Sequence, residues 1–431
     1  MADVGGATGL TAQNDNRRRP RLLLMSYAFP PATAPEAMLS AKRAGHLAGW
    51  DVEVIAAAAF HPGLGNDPDM ADYTAKRFRA VHRLTPVVKL PWHRLGLAGQ
   101  IPDGMRILNH QASALALKLH TADPFDAVLS WSTYHSVHLA ARDIQGRTGL
   151  PWLAHMSDPW TDNPFVTYGR ISGAINRRLE RQVIAACDRV LFTTRETVDL
   201  VMAKHPSAWR DKAVVIPHGF DAALYSGHKP GPSEGRPFIV RYLGNFYGVR
   251  TPEPVFRALG RILNDTPHVL DNVVVEFVGK VDPGMAESDA ARRLPEGLVR
   301  VMPSVGYRKS LELMETADLL LIVDAPAELS VFLPSKLVDY LGAGRPILAL
   351  SPRGASQRVT EEAGFWCAPP DDVVAAASAF VSAIERVRSG NFVAAGMSQY
   401  SAEATGQRLA KVLSEVVASS GGTGSAAREP S

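Results

Sequence analysis

The chain has 431 residues, 46% of them hydrophobic and 21% charged, with a formal net charge of +3. That length exceeds what one hydrophobic core organises, so two domains are expected. The charge is too weak to argue for a nucleic-acid partner, two cysteines exclude a disulfide framework, and no apolar run of about 18 residues exists to span a bilayer.

Residues 1–20 are polar, end in Arg17-Arg18-Arg19 before Pro20, and lack the apolar core of a signal peptide. They read as a disordered tail, and the reading that fits best is a cytoplasmic protein. "RLLLMS" is the first strand, followed by the loop "YAFPPATAPEA" and a helix from about Pro35 to Ala48. "DVEVIAAA" completes a strand–helix–strand unit, which predicts a parallel sheet. "FDAVLSW", "PWLAHMS", "RVLFTT" and "AVVIP" are later strands, with helices in "YHSVHLAARDIQGRTG" and over 171–186. Continuous apolar strands of this kind suit a sheet covered on both faces.

"SGHKPGPSEGRP" breaks the pattern with Gly, Pro and Ser and reads as an interdomain linker. The alternation then restarts with the strands "FIVRYLG", "NVVVEFVG", "LVRVMP", "DLLLIVD" and "PILAL", and with helices in "PEPVFRALGRIL", "YRKSLELMETA" and "SKLVDYLGA". The predicted fold class is α/β, with two doubly wound Rossmann-like domains facing each other across a cleft. The divisions are 21–227, a linker at 228–237, 238–399 and a disordered end at 418–431. Ligands in such sheets bind beyond the carboxyl ends of the strands, so the cleft is the expected site.

Four stretches carry candidate chemistry. "SVFLPSKLVDYLGAGRPIL" places Ser335 and Lys336 in the first turn of a helix that Pro334 opens. A cation at a positive helix end makes sense if an anion occupies the spot, and backbone N–H groups, a hydroxyl and a Lys together make a diphosphate cradle. Asp339 lies on the same helix face and suits ribose hydroxyls. The competing explanation is a surface Lys–Asp pair. "RYLGNFYGVRTPEP" offers Gly244 and Asn245 for close backbone approach and Arg250 for bidentate grip on phosphate. A solvated Arg beside a glycine turn explains it equally well.

"SYAFPPATAPEA" stands where a dinucleotide site would have GxGxxG; its absence disfavours a dehydrogenase. "HMSDPWTDNP" follows a strand and holds Asp158 and Asp162 beside Trp160, an aromatic suited to stacking on a sugar. Asp158 is the candidate acid for accepting a proton from an attacking hydroxyl. Asp-Pro turn chemistry is the plainer account. His138 reads as a helix-face residue. No His/Cys cluster supports a metal site. Lys76, Arg77, Arg79, His82, Arg83, Lys89, His93 and Arg94 form a basic cluster that suits either solvent or an anionic membrane surface.

Together these stretches resemble the GT-B glycosyltransferases, in particular the bacterial family 4-like enzymes. The pieces are "LLLMSYAFPPATAPEAMLSAKRAGHLAGWDVEVIAA", "LPWLAHMSDPWTDN", "VVIPHGFDAALY", "YLGNFYGVRTPEPVFRAL" and "LPSKLVDYLGAGRPILAL", in the family's order from about Arg21 to Gln407. The resemblance implies a nucleotide-diphosphate sugar donor on the second domain and a hydroxyl acceptor on the first, a saccharide or lipid-linked saccharide. It implies no cofactor and no metal, retention at the anomeric carbon, and a helix at 400–417 crossing back to the first domain. Surface polysaccharide or lipid-linked glycan synthesis at the inner membrane face is the implied setting. Carried over, Asp158, Arg250 and Lys336 are the catalytic residues, and Gly244, Asn245, Arg250, Ser335, Lys336 and Asp339 the donor-binding set. Three departures stand out: Val331 occupies the position of the family's first Glu, Glu328 lies three residues too early, and His218 replaces an Asn. The rival functions are a nucleotide-sugar epimerase and a non-catalytic binding protein that kept the fold.

Overall fold

The computed structural model describes residues 18–58, 66–86, 99–227, 235–390 and 396–421. Most of the expected linker and most of each expected tail lie outside the described residues, as do Lys89, His93 and Arg94, but 418–421, expected to be disordered, continue the last helix.

The first half forms one sheet from β1 (Arg21–Met25), β2 (Asp51–Ala57), β3 (Ala80–Leu84), β4 (Ala127–Ser132), β5 (Trp152–Met156), β6 (Arg189–Phe192) and β7 (Ala213–Val215). The second forms another from β8 (Phe238–Leu243), β9 (Val273–Val278), β10 (Val299–Met302), β11 (Leu319–Val323), β12 (Ile347–Leu350) and β13 (Trp366–Ala368). Their orders are β3-β2-β1-β4-β5-β6-β7 and β10-β9-β8-β11-β12-β13, and every pairing between these strands is parallel. These are doubly wound sheets, each with its switch point where the order reverses: beside β1 and β4 in one, β8 and β11 in the other. The central strands are buried on both faces, β1, β4, β5, β9 and β11 throughout, which is why they read as unbroken apolar runs.

Several elements were not foreseen, and one foreseen helix runs longer than expected. β3 is "AVHRL", which the sequence offered only as part of a basic cluster. Beyond β12, the helices Ala355–Glu362 and Val373–Arg388 flank β13, a three-residue edge strand too short to signal itself. The last helix runs Ala402–Gly421, past the expected end at 417. It sets Leu409, Leu413 and Val416 into the first domain's core with Leu22 and Leu24. Each such side chain contributes about 1.5–3 kcal/mol on burial. Phe220 and Ser401 form the bridge where the chain returns.

The carboxyl end of β9 decides how the site loop lies. Gly279 follows β9 with φ +147°, and a Cβ there would stand 2.1 Å from the Gly244 carbonyl oxygen. Only glycine lets the loops after β8 and β9 touch. Gly279→Ala should cost roughly 1–3 kcal/mol in urea unfolding through backbone strain. A loss within error of zero would show that the loop yields freely and that the contact does not position the site.

Candidate functional site

A cavity of about 510 Å³ lies between the domains. The loop after β1 and the helix Pro35–Gly45 wall one side; Gly244, Asn245, Ser335, Lys336 and Asp339 wall the other. The structure thus brings together five of the six predicted donor-binding residues. Arg250 lines a separate small recess with Asp324, Phe165 and Phe332.

Lys336 sits in the first turn of the helix Ser335–Ala343, whose N-terminus no side chain caps. Its Nζ donates to the Tyr242 hydroxyl at 2.7 Å and lies 4.0 Å from the centre of that ring. A Cβ on Gly244 would meet the ammonium at 2.5 Å, so the glycine makes room for it. Burial, and next the charge of Arg250, push the Lys336 pKa down to about 7, with Asp324 opposing. A cation held so close to neutrality is stabilised by any anion that arrives. Asn245 is engaged differently: its side-chain oxygen accepts from the Lys280 N–H at 2.9 Å and clips the neighbouring loop.

Asp339 departs from the simple expectation. Its Oδ1 is 2.7 Å from Nζ of Lys42, a residue of the first domain, and accepts from the Tyr307 hydroxyl at 3.1 Å. Only its second oxygen remains for a ligand. Lys42 was missed by sequence reading. The signal was there: Lys42 and Arg43 interrupt the apolar side of a helix, and both are buried.

On the first-domain side, Asp158 makes no hydrogen bond to protein among the described residues. Burial pushes its pKa up to about 6. Its neighbour Glu36, also missed, accepts from Ser157 Oγ at 3.0 Å and from Trp131 Nε1 at 3.3 Å. Burial, and then the charge of Asp158, raise Glu36 to about 8. Trp160 does not serve as a sugar platform. It is fully buried, stacked on His135 at 4.7 Å, with its indole N–H on Asn176. Asp162 is paired with Lys204. His138 is a core residue bonded to Ser130, as a helix-face reading expects.

Four described members of the basic cluster have partners inside the molecule. Arg77 pairs with Asp221, Arg79 with Asp123 and His82 with Glu53, and Arg83 donates to the Pro30 carbonyl. Arg77, Arg79 and His82 each fall beside an acid that only the fold supplies. Among the described residues one group has metal-ligand composition, His46, Asp221 and Glu403, outside the cavity lining. Asp221 already holds Tyr73 and Arg77, which opposes a cation there. No described helix is long and apolar enough to cross a membrane.

Residues 36–219 match the family model described as a glycosyl transferase 4-like domain. A D-inositol 3-phosphate glycosyltransferase of Streptomyces coelicolor is 24% identical over 273 residues, 54% of this chain and 56% of that protein. The chain spans between 41% and 56% of the length of the curated relatives it matches. By fold it is similar to HepE of Anabaena, solved in complex with UDP and glucose, at TM-score 0.58 and 16% identity over 92% of this chain and 100% of that one. A UDP-N-acetylglucosamine 2-epimerase shares the fold at TM-score 0.55 and 13% identity, over 96% and 100% of the two chains.

Two measurements probe the site. UDP affinity measured by calorimetry should fall roughly tenfold per pH unit above the Lys336 pKa, because the diphosphate needs the charged amine. Lys336→Arg should flatten that slope; a flat wild-type profile would sink the idea. Glu36 titrates in the opposite sense for stability. Its folded pKa of about 8 lies above the ordinary 4.5, so the folded state prefers it protonated and loses stability as pH rises between them. The melting temperature of Glu36→Gln relative to wild type should therefore climb from about pH 5 to about pH 8. A constant difference would show that Glu36 carries no raised pKa.

Proposed function

We propose that this chain, a GT-B protein of the glycosyltransferase 4-like kind, transfers a sugar from a nucleotide-diphosphate sugar to a hydroxyl of an acceptor. The observation that carries the reading is the uncapped helix start with the Lys336 ammonium laid over Gly244 in the cleft. Such a group gains most when negative charge develops beside it, which is what a departing nucleoside diphosphate provides. The acceptor oxygen bonds to the anomeric carbon as the carbon–oxygen bond to the diphosphate breaks. The bonding pair leaves with the diphosphate, and the acceptor proton passes to Asp158 or to the departing phosphate.

In this reading Lys336, Arg250, the Ser335 hydroxyl and the helix N–H groups receive the diphosphate, and the second oxygen of Asp339 the ribose. Gly244 and Asn245 shape the loop beside them. These groups meet the diphosphate charge without calling on a metal ion. The 4-like match supports transfer with retention. UDP and glucose in HepE support a uridine-linked donor, and the curated relatives' names support a polyol or saccharide hydroxyl as acceptor.

Thermal stabilisation by UDP, GDP, ADP, CMP and dTDP and their common sugars, with wild type beside Lys336→Ala, tests the donor. A ligand at 100 times its dissociation constant adds about 2.7 kcal/mol. The variant should lose the shift. Nucleoside diphosphate release that depends on added acceptor then marks a transferase. An isomerised sugar without acceptor would mark an epimerase, and binding with no turnover a binding protein.

A further inference from the structure

We propose that Asp324 reads the donor's sugar, its free carboxylate oxygen accepting hydrogen bonds from sugar hydroxyls beside Arg250. The proposal rests on the nucleotide-sugar reading above and assigns the residue that selects the sugar.

Asp324 is the first residue after β11. β11 and β8 are neighbours in the sheet although not consecutive in the chain, so their outgoing loops flank the second domain's switch point. The loop after β8 carries Arg250. Asp324 is only 6% exposed. Its Oδ2 accepts from Ser351 Oγ at 2.9 Å, and its N–H donates to the Leu350 carbonyl at 2.9 Å. The side chain is thereby held from the β12 side. The other oxygen accepts no hydrogen bond from the described residues. Arg250, across the same recess, has an Nε with no partner.

Charge settles what that oxygen is for. Arg250 and Asp324 line the same recess, and Lys336 feels the two with opposite signs. A bound diphosphate accounts for the two cations. It would repel Asp324, and a buried carboxylate beside phosphates is a cost unless something donates to it. Hydroxyls of the sugar attached to the second phosphate are the nearest such donors. In the segment that leads on to the nucleotide helix, Glu328 is exposed, and the Val331 carbonyl accepts from Thr194 and Thr197 of the first domain. The recess itself holds only about 20 Å³. Phe165 and Phe332, rings from opposite domains, stack 5.3 Å apart at the recess with Phe165 51% exposed, so seating a hexose there requires the two rings to part. The same movement would seat the sugar between donor and acceptor sides.

Calorimetry on wild type and Asp324→Asn, with the pairs UDP and UDP-glucose, and GDP and GDP-mannose, tests this. The quantity read is the gain in affinity that the sugar adds to its nucleotide. The expected result is a gain in wild type that shrinks about tenfold or more in Asp324→Asn, with nucleotide affinity kept or improved. Asp324→Ala should behave alike, and melting temperatures check that both variants fold. An unchanged gain with tighter nucleotide binding would overturn the proposal and leave Asp324 a counter-ion of the two cations. If neither nucleotide binds wild type, the nucleotide-sugar reading fails first and the proposal with it.

Discussion

Lys42 and Asp339 form an ion pair across the two domains, with side chains 1% and 7% exposed. Taking two charges out of water costs several kcal/mol each, and only close geometry with further hydrogen bonds offsets it. Tyr307 supplies one bond to Asp339 and also meets Lys42 at 3.1 Å. Such a pair adds little net stability, but its geometry is strict. It aligns the helix Pro35–Gly45 with the helix Ser335–Ala343, and the cavity exists because those two helices start where they do. Either partner alone would leave an uncompensated charge in the cleft.

The cleft divides its charge by function. On the donor side, Lys336 stands at a positive helix end, and burial, then the charge of Arg250, lower its pKa. On the acceptor side the sign reverses. Glu36 and Asp158 stand together, and both are pushed toward the neutral form. Beneath them lie Arg43, His155 and His218, each buried and each with a ring or guanidinium nitrogen that has no partner among the described residues. Carboxyls whose pKa values are raised toward neutrality suit proton exchange with a hydroxyl, and a lysine lowered toward neutrality gains charge when a phosphate arrives.

Much of this was legible in the sequence. Unbroken apolar strands such as "RLLLM" and "LLLIV" alternate with amphipathic helices, and that alone dictates buried parallel sheets with helices on both faces. The helix start at Ser335-Lys336 and the glycine loop at Gly244 were legible for a similar reason. A Lys at a positive helix end and a glycine at a strand end are local anomalies, and local anomalies show in a linear chain. Trp160 and Asp162 were misread because their partners, Asn176, His135 and Lys204, lie on other elements. The partners of Arg77, Arg79 and His82 were hidden likewise, since Asp221, Asp123 and Glu53 reach them only through the fold.

The sequence by itself determined where the strands and helices fall, which loops leave the carboxyl ends of the strands, and which helix start asks for an anion. Those properties depend on near neighbours: periodicity, capping and backbone freedom. Tertiary structure alone decided which charges meet. It paired Asp339 with Lys42, set Glu36 against Asp158, and brought Asp324 beside Arg250 and Lys336. Pairing and desolvation depend on distance in space, and these residues are brought together only by the crossing order of the strands and the packing of one domain on the other.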